Sequence, residues 1–356
     1  MSEERKKMPQ LDGLRALAML GVIYHHWLPQ SWRFHFPTEA GLFLFFVLSG
    51  FLMAQGLLRE REVLPKAMIL KRFHAKRFRR IYPAYYAALL LALALGVSEL
   101  WEYPLWWLTN AQNFLILDLG YWPPSVSHFW TLAVEQQYYL VWPLVLLFVP
   151  RRFLMAVLVL LCLCSPLVRF SSDAGGWLSM DLIPWGLLDD FALGSLLALL
   201  MHQGMVFPRR WLDLLGSAAL LGYAYLYISW EMHGAVPLWC HLQQTLLAVV
   251  FMMVISRAAA GRWGIFSRIL EHRHLVKLGQ VSYGIYLFHN IAPLVVGKLF
   301  WFLWDERIPG NLAIVLRLPF FMVITWVLVW LCHRYVERPM MDRAGRIKSA
   351  GASQRS

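Results

Sequence analysis

The sequence predicts an all-α, polytopic integral membrane protein of about ten transmembrane helices, with the N- and C-termini in the cytoplasm. Three observations predict it. The 356 residues are 59% hydrophobic and only 15% charged, whereas soluble domains run at about 45–50% apolar and about 25% charged. Apolar runs of about 17–25 residues, the length that crosses a hydrocarbon core of about 30 Å, recur along the chain. Basic residues cluster between alternate runs. Together these exclude a soluble enzyme, a disordered chain and a fibre. The net charge of +12 then reads as loop topology rather than nucleic-acid binding, with membrane lipids as expected partners.

In chain order, the apolar runs predict helices over 12–31, 41–58, 81–97, 129–149, 153–170, 184–203, 212–230, 239–256, 279–304 and 312–332. A short re-entrant or interfacial helix is expected over 106–117. With the N-terminus inside, the cytoplasmic pieces take Arg5, Lys6 and Lys7, nine cations in 59–80, five in 257–277 and six after residue 332. The outer loops carry Arg33 and Arg307 but also Glu99, Glu102, Asp118, Asp173, Asp181, Glu231 and Asp305. This positive-inside bias breaks if the helix count is odd. Cys162, Cys164, Cys240 and Cys332 fall in or beside apolar runs without ligand spacing, so no metal is expected. Residues 1–10 run into a full-length span with no cleavage site, so no signal peptide is expected. No internal repeat is visible.

Ionisable residues inside spans are costly and therefore mark function. In the first span Arg15 and His26 stand eleven residues apart, about three helical turns, and so share a face, while His25 points away at nearly a right angle. Arg15 lies about 5 Å above the inner boundary and His26 about 21 Å above it. Glu135 enters from outside to a comparable depth, about 10 Å below the outer boundary. The two spans thereby offer a histidine general base with an orienting carboxylate. The plainer readings are a snorkelling Arg15 and a structural ion pair. The basic stretch 71–86 places Arg77 and Arg80 three apart, a pair suited to phosphate or to anionic lipid. Ser49 and Gly50 offer a small patch for close helix contact, or room for a cofactor chain. Tyr283, Tyr286 and His289, spaced by three, share a face that lines a polar cavity or belongs to an interfacial belt. Asp189 and Asp190, near an outer helix end, either bind acceptor hydroxyls or sit at the interface.

These strings, in this order, resemble the membrane acyltransferase-3 family of bacterial surface-polysaccharide O-acetyltransferases. The matches are LDGLRA with Arg-x10-His, FFVLSGF at 45–51, Arg-x-x-Arg-Ile-x-Pro at 77–83, and His-x-Trp-x-Leu-x-x-Glu-x-x-Tyr-Tyr at 128–139. Tyr-x-x-Tyr-Leu-x-His at 283–289 and Glu-Arg-Pro at 337–339 complete the series. The resemblance implies about ten helices and acyl transfer, most simply acetyl transfer, from cytoplasmic acyl-CoA to a hydroxyl of a saccharide or lipid-linked envelope molecule. It implies that Arg15 and His26 are essential, that Arg77 and Arg80 serve the donor side, and that Glu135 is the family's acidic position. Trp130, in the same motif, joins Ser49, Tyr283, Tyr286, His289, Asp189 and Asp190 as a substrate-binding candidate. Where many relatives have a polar or acidic residue two after the glycine of the second-helix motif, Gly41 is followed here by Leu42 and Phe43, so that contact is expected to be absent. The soluble hydrolase-like domain of some relatives is not expected either. The organisation read is a transmembrane domain over 1–340 and a short basic cytoplasmic tail over 341–356, in a bacterial inner membrane.

The mechanism expected has donor phosphates on Arg15, Arg77 and Arg80, the thioester rising along the first helix, and His26 supported by Glu135 as base. Rival readings are a proton-coupled small-molecule transporter using His26 and Glu135, a non-catalytic membrane scaffold, and an acyltransferase acting on a non-glycan acceptor.

Overall fold

The computed structural model describes residues 8–33, 37, 39–172, 182–204, 209–233, 241–261, 263–301 and 310–340. The expectations for Arg5, Lys6, Lys7, Asp173, Asp181, Cys240, Asp305, Arg307 and the 341–356 tail lie outside these residues. Every regular element among the described residues is helical: α1 Pro9–Trp27, α2 Ala40–Glu60, α3 Lys66–Ala94, α4 Ser98–Glu102, α5 Pro104–Leu108, α6 Gln112–Leu119, α7 Trp130–Phe148 and α8 Arg151–Ser172. Then follow α9 Leu188–His202, α10 Arg209–His233, α11 Gln243–Ala260, α12 Ile265–Leu270, α13 Arg273–Gln280, α14 Ser282–Phe288, α15 Ala292–Leu299 and α16 Gly310–Cys332. Six stretches among the described residues are long and apolar enough to cross a bilayer: Ala40–Glu60, Arg151–Ser171, Pro184–His202, Arg210–Trp230, Gln243–Ala260 and Gly310–Met340. The protein is an all-α, multi-pass membrane protein.

Three expectations change. The segment 59–80, expected as a loop, is helical from Lys66 onward and continuous with the apolar run beyond it. Residues 66–80 hold no glycine or proline and are rich in Lys, Arg, Leu, Met and Ala, which are good helix formers. Pro83 sits inside that helix. The single span expected over 279–304 is broken into α13, α14 and α15, the last started by Pro293 in its first turn, where a missing N–H costs nothing. The one helix expected over 106–117 is divided between α5 and α6.

The chain forms two compact units. Residues 1–66 and 134–280 make one, and residues 67–133 and 281–356 the other. In the first unit α2 and α9 cross at backbone contact. A Cβ on Gly194 would fall 2.1 Å from the Val47 carbonyl oxygen, and one on Gly50 2.4 Å from that of Phe191. Small residues let membrane helices approach this closely. Around the crossing Tyr138 stacks on Phe191 with ring centroids 3.7 Å apart. Trp142 donates its indole N–H to Ser195 Oγ at 2.7 Å, and Ser195 donates to the Gly50 carbonyl at 3.2 Å. Arg61 caps the C-terminal end of α7, its two terminal nitrogens donating to the Leu146 and Val149 carbonyls at 2.7 and 2.9 Å.

In the second unit α3 is tied to the short helices. Tyr85 donates to the Trp107 carbonyl at 2.7 Å, and Trp107 donates to that of Glu99 at 3.0 Å. Gln112 donates to the Phe129 carbonyl at 2.7 Å. Gly284 of α14 packs against Val329 of α16.

Candidate active site

The first unit holds Arg15, His26, Ser49 and Glu135. Helix α1 runs unbroken through both Arg15 and His26, which are half-buried, so their eleven-residue spacing keeps them on one face. His25 turns elsewhere: its Nε2 lies 3.4 Å from Glu39 Oε1, and its ring meets that of His26 edge-on at 5.1 Å.

Glu135 is half-buried on α7. Two hydroxyls donate to the same carboxylate oxygen, Oε1: Ser49 from α2 and Tyr139 from the next turn of α7. Ser49, expected to face substrate or to serve only packing, is therefore a donor to Glu135, while its neighbour Gly50 makes the close helix contact. In the sequence Tyr139 is only a motif letter. Its position four residues after Glu135 is the signal that it reaches the carboxylate.

Asp189 and Asp190 begin α9, and neither is exposed at an interface. Both are fully buried in the first turn of the helix. Asp189 pairs with the buried Arg169 in a two-pronged contact, Nη1 to Oδ1 at 3.1 Å and Nη2 to Oδ2 at 2.7 Å. Ser165 donates to Oδ1 at 2.9 Å and Thr245 to Oδ2. Both oxygens of Asp189 therefore accept hydrogen bonds from groups inside the protein. Asp190 accepts from Gln244 at 2.8 Å. Sequence reasoning missed Arg169, although a lone arginine in the apolar run 153–170 is itself a warning that a partner exists.

In the second unit α3 carries the basic motif. Arg77 is half-buried with its guanidinium 4.2 Å over the Phe73 ring, and Arg80 is exposed one turn on. His74, beside them, has its pKa held below the ordinary histidine value by burial first and then by Arg77.

Tyr286 and His289 come together with His128 and Thr131, two residues to which sequence reasoning gave no role. His128 Nε2 lies 3.3 Å from the Leu287 carbonyl and His289 Nδ1 2.7 Å from that of Tyr286. A carbonyl can only accept, so those nitrogens carry the protons. The two rings stand 4.9 Å apart, edge to face. Tyr286 donates to the His128 carbonyl at 2.6 Å and shares a hydrogen bond with Thr131. Tyr283 diverges, donating to the Ile81 carbonyl at 2.9 Å. Trp130 is buried, its ring 6.3 Å from that of Trp122.

Chemically, the first unit offers a half-buried carboxylate gripped by two hydroxyls, together with a helix bearing a cation and an imidazole. Among the described residues no group of three His, Cys, Asp or Glu is arranged to hold a metal ion.

The family model described as an acyltransferase domain matches residues 8–334. The chain is 28% identical over 372 residues to the peptidoglycan O-acetyltransferase OatA of Listeria monocytogenes, covering 94% of this chain and 56% of the relative. It is 23% identical over 376 residues to the O-acetyltransferase OatA of Staphylococcus aureus, covering 94% of this chain and 57% of the relative. The chain thus spans just over half the length of these relatives. No solved structure matches it.

Proposed function

Because the chain belongs to the acyltransferase-3 family, we propose that it is a membrane O-acyltransferase, moving an acetyl group from cytoplasmic acyl-CoA to a hydroxyl of a cell-envelope saccharide. The observation that carries the proposal is the Glu135 cluster, in the same unit as the Arg15–His26 helix. A carboxylate held in a largely apolar setting is the partner that a histidine base needs when it becomes charged. The acceptor is drawn from the bacterial relatives, whose names assign them peptidoglycan or O-acetyl transfer.

In this reading His26 takes the proton of the acceptor hydroxyl as its oxygen bonds to the thioester carbonyl carbon. The carbon–sulfur bond then breaks, and the CoA thiolate leaves with the proton returned from the imidazolium. Arg15, Arg77 and Arg80 are the guanidinium groups assigned to donor phosphates. Positioning and proton transfer supply the rate.

A proton-coupled transporter is the second reading. One observation favours it: the chain is broken between α13, α14 and α15, as transporter helices are around their sites. The two are separated with purified protein in detergent and radiolabelled acetyl-CoA, following binding, hydrolysis and transfer to peptidoglycan glycan strands. The acyltransferase reading expects saturable binding that is lost in Arg15→Ala, and label in the glycan that is lost in His26→Ala. Well-folded protein that neither binds nor cleaves acetyl-CoA would move the assignment to transport.

A further inference from the structure

The two hydroxyls on Glu135 suggest how that carboxylate is kept useful. A carboxylate that supports a base must be held in one orientation by the packed elements around it. Here Ser49 and Tyr139, from two different helices, both donate to Oε1. We propose that Ser49 and Tyr139 are positioning residues: together they fix the orientation of the Glu135 carboxylate through Oε1. The inference rests on the reading of His26 and Glu135 as base and partner.

Both donors are mounted on rigid parts of the unit. Ser49 precedes Gly50, whose backbone is locked against Phe191 at the α2–α9 crossing. Tyr139 is 8% exposed, so its ring has little room to swing. It shares α7 with Glu135 and follows Tyr138, which is stacked on Phe191. That stacking fixes the rotation of α7 and so the direction of both Glu135 and Tyr139. A constellation held by packed elements keeps its geometry better than one on loops.

The test measures kcat and KM for acetyl transfer by the full chain, with acetyl-CoA and peptidoglycan glycan strands as probes. The variants are Ser49→Ala, Tyr139→Phe, their combination, Ser49→Thr, Glu135→Gln and His26→Ala. Each lost hydroxyl is expected to lower kcat about tenfold with KM for acetyl-CoA unchanged. Ser49→Thr, which keeps the hydroxyl, is expected to restore kcat. A purely structural role would lower the melting temperature and the amount of active enzyme while leaving kcat per folded enzyme unchanged, and that result overturns the inference. So does an acetyl adduct on Ser49 found by peptide mass spectrometry, which would make the serine a nucleophile. Should the double variant not accumulate, each single variant gives the same readout with a smaller loss. If Glu135→Gln or His26→Ala matches wild type, the base-and-partner reading itself falls. If both are inactive while Ser49→Ala and Tyr139→Phe are normal in kcat, only the positioning role falls.

Discussion

Arg169 and Asp189 show at the residue scale what makes a charge tolerable inside the membrane. Their side chains are 3% and 0% exposed, and the bond between them is 2.7 Å. The guanidinium also donates to the Gly186 and His241 carbonyls at 2.6 and 3.0 Å, so the desolvation cost is offset on both sides. Removing one member leaves the other charged, buried and unpaired, which costs about 3–5 kcal/mol. Arg169→Met and Asp189→Leu are each expected to lower the melting temperature in detergent sharply. The double variant is expected to recover most of the loss, because it leaves no orphaned charge. A double variant as unstable as the sum of the singles would mean that the two charges act separately. The same contrast explains what the sequence could reveal here. Arg15, His26 and Glu135 stand out as ionisable residues in apolar runs, and so does Arg169 once the rule is applied to it. The partner does not stand out. Asp189 lies on a different helix, and its choice between solvent and Arg169 depends on how α8 and α9 pack.

Close helix contact dominates at the element scale, and two glycines separate it from simple helix propensity. A Cβ on Gly194 meets the backbone of Val47, which cannot swing aside, whereas a Cβ on Gly56 of the same α2 would have nothing within 4 Å. Gly194→Ala is therefore expected to destabilise by about 1–3 kcal/mol through overpacking. Gly56→Ala is expected to be neutral or stabilising by up to about 1 kcal/mol, as for any open helical glycine. Thermal melting of the two variants side by side checks this, and equal effects would mean that α2 and α9 are not in backbone contact. Helix α3 illustrates the reverse case. Its basic half resembles a loop when charge is weighed above propensity, yet Lys, Arg, Leu and Met all favour helix. His74 in that half has its pKa depressed by burial and then by Arg77. Below the ordinary value of about 6.5, the unfolded chain holds more protons at this site than the folded one. Stability from His74 is thus fully present above that value and lost as pH falls through the folded pKa. His74→Gln is expected to flatten the fall of melting temperature with pH below about 6.5, and an unchanged slope would assign the dependence to another group.

For the whole molecule, the composition specifies a membrane protein but leaves the path of each helix to be worked out. The described surface carries the apolar side chains that lipid requires, such as Leu140, Val141 and Leu144 on α7 and Leu160, Leu163 and Leu167 on α8. A soluble protein does not expose such contiguous patches. Hydropathy identifies the long apolar helices because they are uniform. It serves less well at α1, α7 and the broken stretch α13–α15, where the polar residues of the site interrupt the run and a proline or glycine changes the backbone. Helix α3 is the sharpest case. It has 29 residues, about 43 Å at 1.5 Å each, but residues 81–94 supply only about 21 Å of apolar length against a core of about 30 Å. For α3 to cross, Arg79 and Arg80 must reach back along their stems to the inner headgroups, and residues 95–97 must complete the span. The charge distribution demands the crossing, since 59–80 carries nine cations while Glu99 and Glu102 follow directly after. In a background with Cys162, Cys164, Cys240 and Cys332 replaced by serine or alanine, Lys71→Cys and Glu102→Cys place one thiol on each side; both parent residues are exposed. A membrane-impermeant maleimide is expected to label Glu102→Cys on spheroplasts and Lys71→Cys only in inverted vesicles. Labelling of both from one side would mean that α3 lies along the surface. The basic residues would then be facing headgroups along the whole helix, and the expected even count of crossings would fail at this element.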